Sequence, residues 1–596
     1  MSYVAPVKDM LFNIQHLAKI DQIAQLPGFE DAGFDTAQAV LEEAAKFNEG
    51  VLAPLNWEGD KNPSSWKNGV VTATPGFKEA FKQFTEAGWQ GLQHPVDFGG
   101  QGLPKTIGAM CGEMQNSANM SFALCPLLSD GAIEALLTAG SDELKATYLE
   151  KLVSGQWTGT MNLTEPQAGS DLAAVRTRAE PQADGSYKVF GTKIYITWGE
   201  HDMAENIVHL VLARTPTAPE GVKGISLFIV PKFMVRDDGS LGERNDACCV
   251  SIEHKLGIHA SPTAVMAFGE HGGAQGYLVG EENRGLEYMC IMMNVARFGV
   301  GMEGVAVCER AYQRAREYAR ERVQGSDIAA PRGPKVPIIA HPDVRRMLMS
   351  MKAQTEASRA LAYVVAAAHD KALHHPDDAV RAASMAFVEL LIPVVKGWST
   401  EMGIEVASTG VQVHGGMGYM EETGVAQYLR DARISSIYEG TTGIQANDLL
   451  GRKMARDGGA AFGLVIARMR ELATDLSAQS DAQLLAIGGR LTVAVNSLAS
   501  AGDWLVQNYA SNVRAAAAGG VPFLRLFGLV AGGWQMARAA QIAQARVAAG
   551  DADSYYPAKV ITARFYADHF LVQAGGLAST VTEGASSVLG LDEALF

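Results

Sequence analysis

The feature that most limits what this chain can fold into is a change of hydrophobic period that happens twice. Between about residues 160 and 280 the apolar residues come in short runs rich in Val, Ile, Thr and aromatics. These are YKVFGTKIYITW at 187–198, NIVHLVLAR at 206–214, GISLFIV at 224–230 and TAVMAF at 263–268, with Gly, Pro and Asp between them. Such runs suit strands joined by turns. On either side the apolar residues recur every three or four positions, as in helices with one buried face. That spacing holds over 36–55, 76–88 and 105–154 before the strands, and over 285–324, 341–376, 381–403 and 420–432 after them. The Gly- and Pro-rich GWQGLQHPVDFGGQGLP at 88–104 reads as a turn-filled connection. Helices, then strands, then helices place the chain in the α+β class.

A chain of 596 residues exceeds what one core supports, so several domains are expected. The pattern predicts an N-terminal helical domain with an extension over 1–158, a middle antiparallel β domain over 159–282 and a helical bundle over 283–457. Beyond Asp457 the composition turns Ala-rich, with helical segments at 458–475, 484–518, 530–549 and 557–579, and predicts a separate helical domain over 458–596.

Charge and cysteine usage exclude some functions. The net charge of -15, with no dense Lys/Arg run, disfavours nucleic acid as a partner while leaving room for a local pocket that seats an anionic cofactor. Six cysteines without a CxxC pair fit a reduced compartment and offer no metal-ligand spacing; the adjacent Cys248 and Cys249 read as strand packing. The apolar stretch near 205–230 is broken by Arg214 and Pro216, and the Ala-rich runs carry frequent charges. The opening MSYVAPVKDMLFNIQHL has no apolar stretch of signal-peptide length, so the expectation is a cytoplasmic protein without integral membrane association.

Four local strings carry chemistry. In MNLTEPQAGSDLAAV at 161–175, Gly169 and Ser170 follow Pro166 in a turn where small residues let backbone amides approach a ring or phosphate, and Thr164 adds a short hydroxyl. YITWG follows at 195–199 and QVHGGMGYMEE at 412–422. In RDARISSIYEGTTGIQ at 430–445, Glu439 stands beside Gly440, which lets the chain turn without a side chain filling the space beside the carboxylate. Taken singly, each string is an ordinary loop or helix end.

In this order and at these separations, the strings resemble the acyl-CoA dehydrogenase family over about residues 40–455. The resemblance implies that family's fold, with a four-helix bundle as the third part and an additional C-terminal helical domain. It also implies FAD as cofactor, an acyl-CoA as substrate and electron-transfer flavoprotein as electron acceptor. Glu439 would take the α proton while the β hydrogen leaves as hydride to the flavin, giving a trans-2-enoyl thioester. The flavin contacts it implies are Met161, Leu163, Thr164, Gly169 and Ser170, then Tyr195 and Thr197, with a phenol at Tyr195 where most of the family has an indole. Arg297, within NVARFGVGMEG, would hold the wall behind the base. Arg322 would reach the flavin diphosphate of a neighbouring subunit, and Gln412, Gly415, Gly416, Thr441 and Gln445 would complete the cofactor contacts. Gly443 stands where many relatives carry Gln or Asn.

The chain continues about 140 residues beyond the stretch that ends near 455, and this length, with the start YVAPVKDMLF, resembles the long bacterial subgroup that includes 3-methylmercaptopropionyl-CoA enzymes. That implies a homodimer acting in fatty-acyl β-oxidation or on 3-methylmercaptopropionyl-CoA. His259 and His414 read as packing or cofactor hydrogen bonding. Met292, Met293, Met302 and Met417 read as core or acyl-slot lining, and Gly299 and Gly301 either leave room for an acyl group or permit helix contact. The competing readings are an acyl-CoA oxidase that uses oxygen, a flavin-containing binding protein of the alkylation-response type, and a purely structural helical protein.

Overall fold

The computed structural model describes residues 2–596. The chain divides into two compact units: Lys46–Leu103 with Ala118–Gly299, and Tyr3–Ala45 with Pro104–Ser117 and Val300–Phe596. Two long helical stretches, α1 (Lys105–Ala139) and α2 (Gly285–Glu321), supply residues to both. The sequence reads 105–154 as continuously helical, but α1 leaves helical geometry at Asn119 (φ -160°). There the Asn119 carboxamide accepts from the Phe122 amide and donates to the Leu52 carbonyl, capping the second half of the stretch.

The first unit is built on a sheet of eight strands: β1 (Trp157–Asn162), β2 (Arg178–Pro181), β3 (Tyr187–Thr197), β4 (Asn206–Ala213), β5 (Ser226–Pro231), β6 (Ala247–Ile252), β7 (Thr263–Phe268) and β8 (Ala274–Val279). Their order is β6-β7-β3-β8-β5-β4-β1, with β2 also on β3. The pairing is antiparallel except that β1 and β4 run parallel, which corrects the all-antiparallel expectation. The long excursion through β2 and β3 between them supplies the crossover that parallel neighbours need.

β4 and β5 are buried along their whole length because both faces of the sheet are covered. Alternation divides them cleanly. Val208, Leu210, Leu212, Leu227 and Ile229 pack with Leu128, Met289 and Met292, whereas Val211, Ala213, Phe228 and Val230 pack with Val71, Met266 and Phe268. A short hairpin, Ser65–Lys67 with Val70–Thr72, closes on Asn68 and Gly69, both at positive φ. Asn-Gly is the favoured two-residue hairpin turn, so this element was written in the sequence although the helical reading passed over it.

The second unit joins α2 from residue 300 onward to α3 (Pro342–His374), α4 (Asp378–His414), α5 (Gly520–Ala548) and α6 (Tyr555–His569). α4 is longer than the 381–403 expected, continuing through Pro393 to its end at Gly415, whose φ is +60°. Glycines set how closely these helices approach. A Cβ at Gly304 of α2 would lie 2.4 Å from the Ser399 carbonyl of α4, and one at Gly528 of α5 would lie 2.2 Å from the Trp398 ring. The Ala-rich segment therefore packs directly on the bundle. The first residues join the same unit through Asp9, which accepts from Arg359 of α3 at 2.9 Å and from Lys559 of α6 at 2.5 Å.

Three helices, Lys105–Ala139, Gly285–Glu321 and Ala482–Tyr509, are long and apolar enough by composition to cross a membrane; the third lies in the Ala-rich region, where the sequence reading expected charges to prevent it. Their most apolar windows are 78%, 61% and 50% buried inside the protein, so much of this apolar surface packs in the interior.

Candidate active site

In the second unit, Glu439 lies on the connection between the helices Val425–Ala432 and Thr442–Asn447. Its backbone is left-handed (φ +55°), as is that of Gly440 (φ +86°). For glutamate this conformation costs about 1 kcal/mol and persists only where the surroundings enforce it. Three side chains do so. Lys396, fully buried on α4, donates to the carbonyls of Ser435 (2.8 Å) and Gly440 (2.7 Å). Gln445 donates to the carbonyls of Glu439 (3.1 Å) and Gly440 (3.2 Å). The Tyr438 hydroxyl donates to Glu303 of α2. Thr441 caps the following helix by accepting from the Ile444 amide, and Thr442 donates to Glu401. The Glu439 side chain itself is half-buried.

Gln445 thus spends its amide hydrogens on the turn that carries Glu439. Gln412, Gly415 and Gly416 are exposed at the end of α4, and a Cβ at either glycine would meet open space. Arg322, also exposed, follows the last residue of α2. Gly443 is partly buried one position into the helix after the turn. His414 is buried, bonded through Nδ1 to the Gly410 carbonyl and stacked on Tyr318 with ring centres 4.3 Å apart, which bears out a packing role. Gly301 also serves packing, since a Cβ there would lie 2.8 Å from Val395. Met417 is exposed, so it is not core.

In the first unit, the loop after β1 carries the other set. Met161 is buried at the end of β1, Leu163 and Thr164 are partly buried, and Gly169 and Ser170 are exposed. The loop is fixed from beneath by Glu165 and Lys193. Lys193 donates to Glu165 (2.8 Å) and to the Leu163 carbonyl (3.0 Å), while Glu165 also accepts from the amides of Arg176 and Thr177. Burial pushes Glu165 up, but Lys193 and these donors overcome it and hold the carboxyl at about 2. Burial draws Lys193 down to about 8, so the pair is ionised at neutral pH.

Tyr195 sits in a β-bulge of β3. The register steps from Lys193 opposite Met266 to Ile196 opposite Ala264, which leaves Ile194 and Tyr195 facing the single residue Val265. The bulge puts Tyr195 at φ +60° and turns its ring out, 61% exposed. Thr197 is partly buried, and the Trp198 indole beneath donates to the Ser121 carbonyl at 3.0 Å. Arg297 is buried on α2. His259 bonds to the Lys255 carbonyl and pairs with Asp60, a structural role, and a Cβ at Gly299 would lie 2.4 Å from Leu127.

The donor set of this first unit suits a planar ring that gains negative charge, beside a phosphate: a loop with short hydroxyls at Thr164 and Ser170, open space over Gly169, and an outward-facing aromatic ring. Sequence reasoning missed Glu303, Lys396, Glu401 and the Glu165–Lys193 pair. Lys396 carried a signal, being the one charge within the apolar LIPVVKGW. Glu303 had none beyond standing in the apolar GVGMEGVAV.

Comparison with known proteins gives four family matches in chain order. They are acyl-CoA dehydrogenase N-terminal domain at residues 35–156, middle domain at 160–269 and C-terminal domain at 283–454, then acetyl-CoA dehydrogenase C-terminal like at 465–592. The 3-methylmercaptopropionyl-CoA dehydrogenase of Ruegeria pomeroyi is 51% identical over 589 residues, covering 99% of each chain. The broad-specificity linear acyl-CoA dehydrogenase FadE5 of Mycobacterium tuberculosis is 36% identical over 614 residues, covering 100% of each. The structure of a Bacillus anthracis acyl-CoA dehydrogenase complexed with FAD shares the fold at TM-score 0.75 and 22% identity, over 96% of this chain and 91% of that one.

Proposed function

This chain belongs to the acyl-CoA dehydrogenase family, and we propose on that premise that it oxidises an acyl-CoA to its trans-2-enoyl-CoA with FAD as cofactor and Glu439 as base. The observation that carries the assignment of the base is the turn at 438–440. A glutamate is held there in left-handed backbone, at a strain of about 1 kcal/mol, by the side chains of Lys396 and Gln445.

Glu439 takes the proton from the α carbon of the thioester, the β hydrogen leaves as hydride, and the electron pair of the α C–H bond becomes the new double bond. Bound FAD supplies the hydride acceptor. Met161, Leu163, Thr164, Gly169, Ser170, Tyr195 and Thr197 are assigned to its ring and nearby phosphate, and Arg322, Gln412, Gly415, Gly416 and Thr441 to the rest of the cofactor. Gln445, assigned to the cofactor as well, also donates to the turn that carries the base. Arg297 is assigned to the wall of the site.

For the substrate, identity of 51% over nearly the whole length favours 3-methylmercaptopropionyl-CoA, with linear acyl-CoAs as the neighbouring class. The electrons are assigned to electron-transfer flavoprotein, the assembly to a homodimer and the location to the cytoplasm without a membrane span.

The deciding experiment is anaerobic bleaching of the flavin by 3-methylmercaptopropionyl-CoA and a series of linear acyl-CoAs, with wild type and Glu439→Gln. We expect the variant to keep its flavin and to bleach slower by about a thousandfold or more. Wild-type rates in the variant would remove Glu439 as base. Rapid peroxide formation in air would move the protein to the oxidases.

A further inference from the structure

We propose that Glu303 is a positioning residue for the base: its carboxyl grips the Tyr438 hydroxyl, fixes the turn from which Glu439 projects, and sets the local field in which Glu439 works. The inference rests on Glu439 being the base.

Glu303 lies on α2 and is 0% exposed. One oxygen accepts from Tyr438, the residue immediately before Glu439. The other oxygen is buried and makes no hydrogen bond among the described residues. The titratable groups that face Glu303 are Tyr438 and Glu439 from the turn and Lys396 from α4, whose ammonium is bonded to the carbonyls of Ser435 and Gly440. Where α4 packs on α2 at Gly304, it presents backbone of Ser399 and Thr400.

A carboxylate in this setting has one oxygen without a donor and a second acid as neighbour. Both disfavour its charge. Burial first, with the Glu439 charge adding, pushes Glu303 up to about 8 against the opposing pull of Tyr438 and Lys396. At neutral pH Glu303 therefore keeps its proton. A neutral Glu303 holds Tyr438 without placing a second negative charge beside the base. Above pH 8 that charge appears beside the turn that carries the base.

The test is the pH profile of kcat/KM for acyl-CoA oxidation by the holoenzyme, which reports ionisations of the free enzyme. The variants are Glu303→Gln, Glu303→Ala and Tyr438→Phe, with Glu439→Gln as reference. Wild type is expected to show an ionisation near pH 8 besides that of the base. Glu303→Gln, which still accepts from Tyr438, should lose that step. Tyr438→Phe, which removes the donor, should move it to higher pH. Glu303→Ala should slow turnover about tenfold by loosening the turn, more than Glu303→Gln does. A step near pH 8 surviving in Glu303→Gln, or unmoved in Tyr438→Phe, would overturn the inference while Glu439 stays the base. Wild-type activity in Glu439→Gln would instead overturn the assignment beneath it.

Discussion

Two buried acids in the same compact unit, Asp9 and Glu303, are treated in opposite ways. Around Arg359, the carboxylates of Asp9, Glu113, Glu309 and Glu356 meet the cations Arg359, Lys352 and Lys559. Burial pushes Asp9 up, but Lys559 and Arg359 outweigh it and hold Asp9 well below the usual carboxylate range. Around Tyr438, Glu303 has a phenol for a donor and another acid nearby, and it is driven upward. Low dielectric is common to both, so partners decide the outcome. Asp9, given two cations, is fixed in charge and ties segments together; Glu303, given a phenol beside another acid, stays poised to change charge.

The sharpest way to break this comparison is Arg359→Met, which leaves Glu113, Glu309 and Asp9 without their shared cation. We expect a loss of about 3–5 kcal/mol in denaturant-induced unfolding, and a loss below about 1 kcal/mol would mean the cluster is not a staple. Lys559→Met should cost less, about 1.5–3 kcal/mol, because Asp9 keeps Arg359 and Glu356 keeps Lys352. The smallest effect lies in the acid limb. Since the folded value of Asp9 is depressed, its contribution is complete above the ordinary aspartate value and is lost as pH falls. Stability of Asp9→Asn should therefore fall less steeply than that of wild type below about pH 4; parallel curves would contradict the pairing.

The strands β4 and β5 were legible because strands buried on both faces read as short runs rich in Val, Ile and Leu. The turn around Glu439 was legible for another reason: its residues are consecutive, so they travel as one string. What supports the turn was not legible. Glu303 and Lys396 come from helices 135 and 39 residues away from their partners, a separation no local pattern encodes. The same limit hid the role of the first residues. VKDMLF reads as a short amphipathic start, and nothing in it shows that Asp9 bonds a lysine 550 positions later. Gln445 shows a role the string did not: its amide nitrogen holds the Glu439 and Gly440 carbonyls.

Gly528 and Gly532 let α5 come so close that the Trp398 indole is only 7% exposed, two positions along α4 from the ammonium at Lys396. Cutting the chain after residue 457 would strip that indole and leave the strained glutamate braced by a helix whose outer side had become wet. The final 140 or so residues are thus a foundation and not an ornament: once glycine and indole were fitted to each other, the longer form could no longer be trimmed back to a shorter working protein.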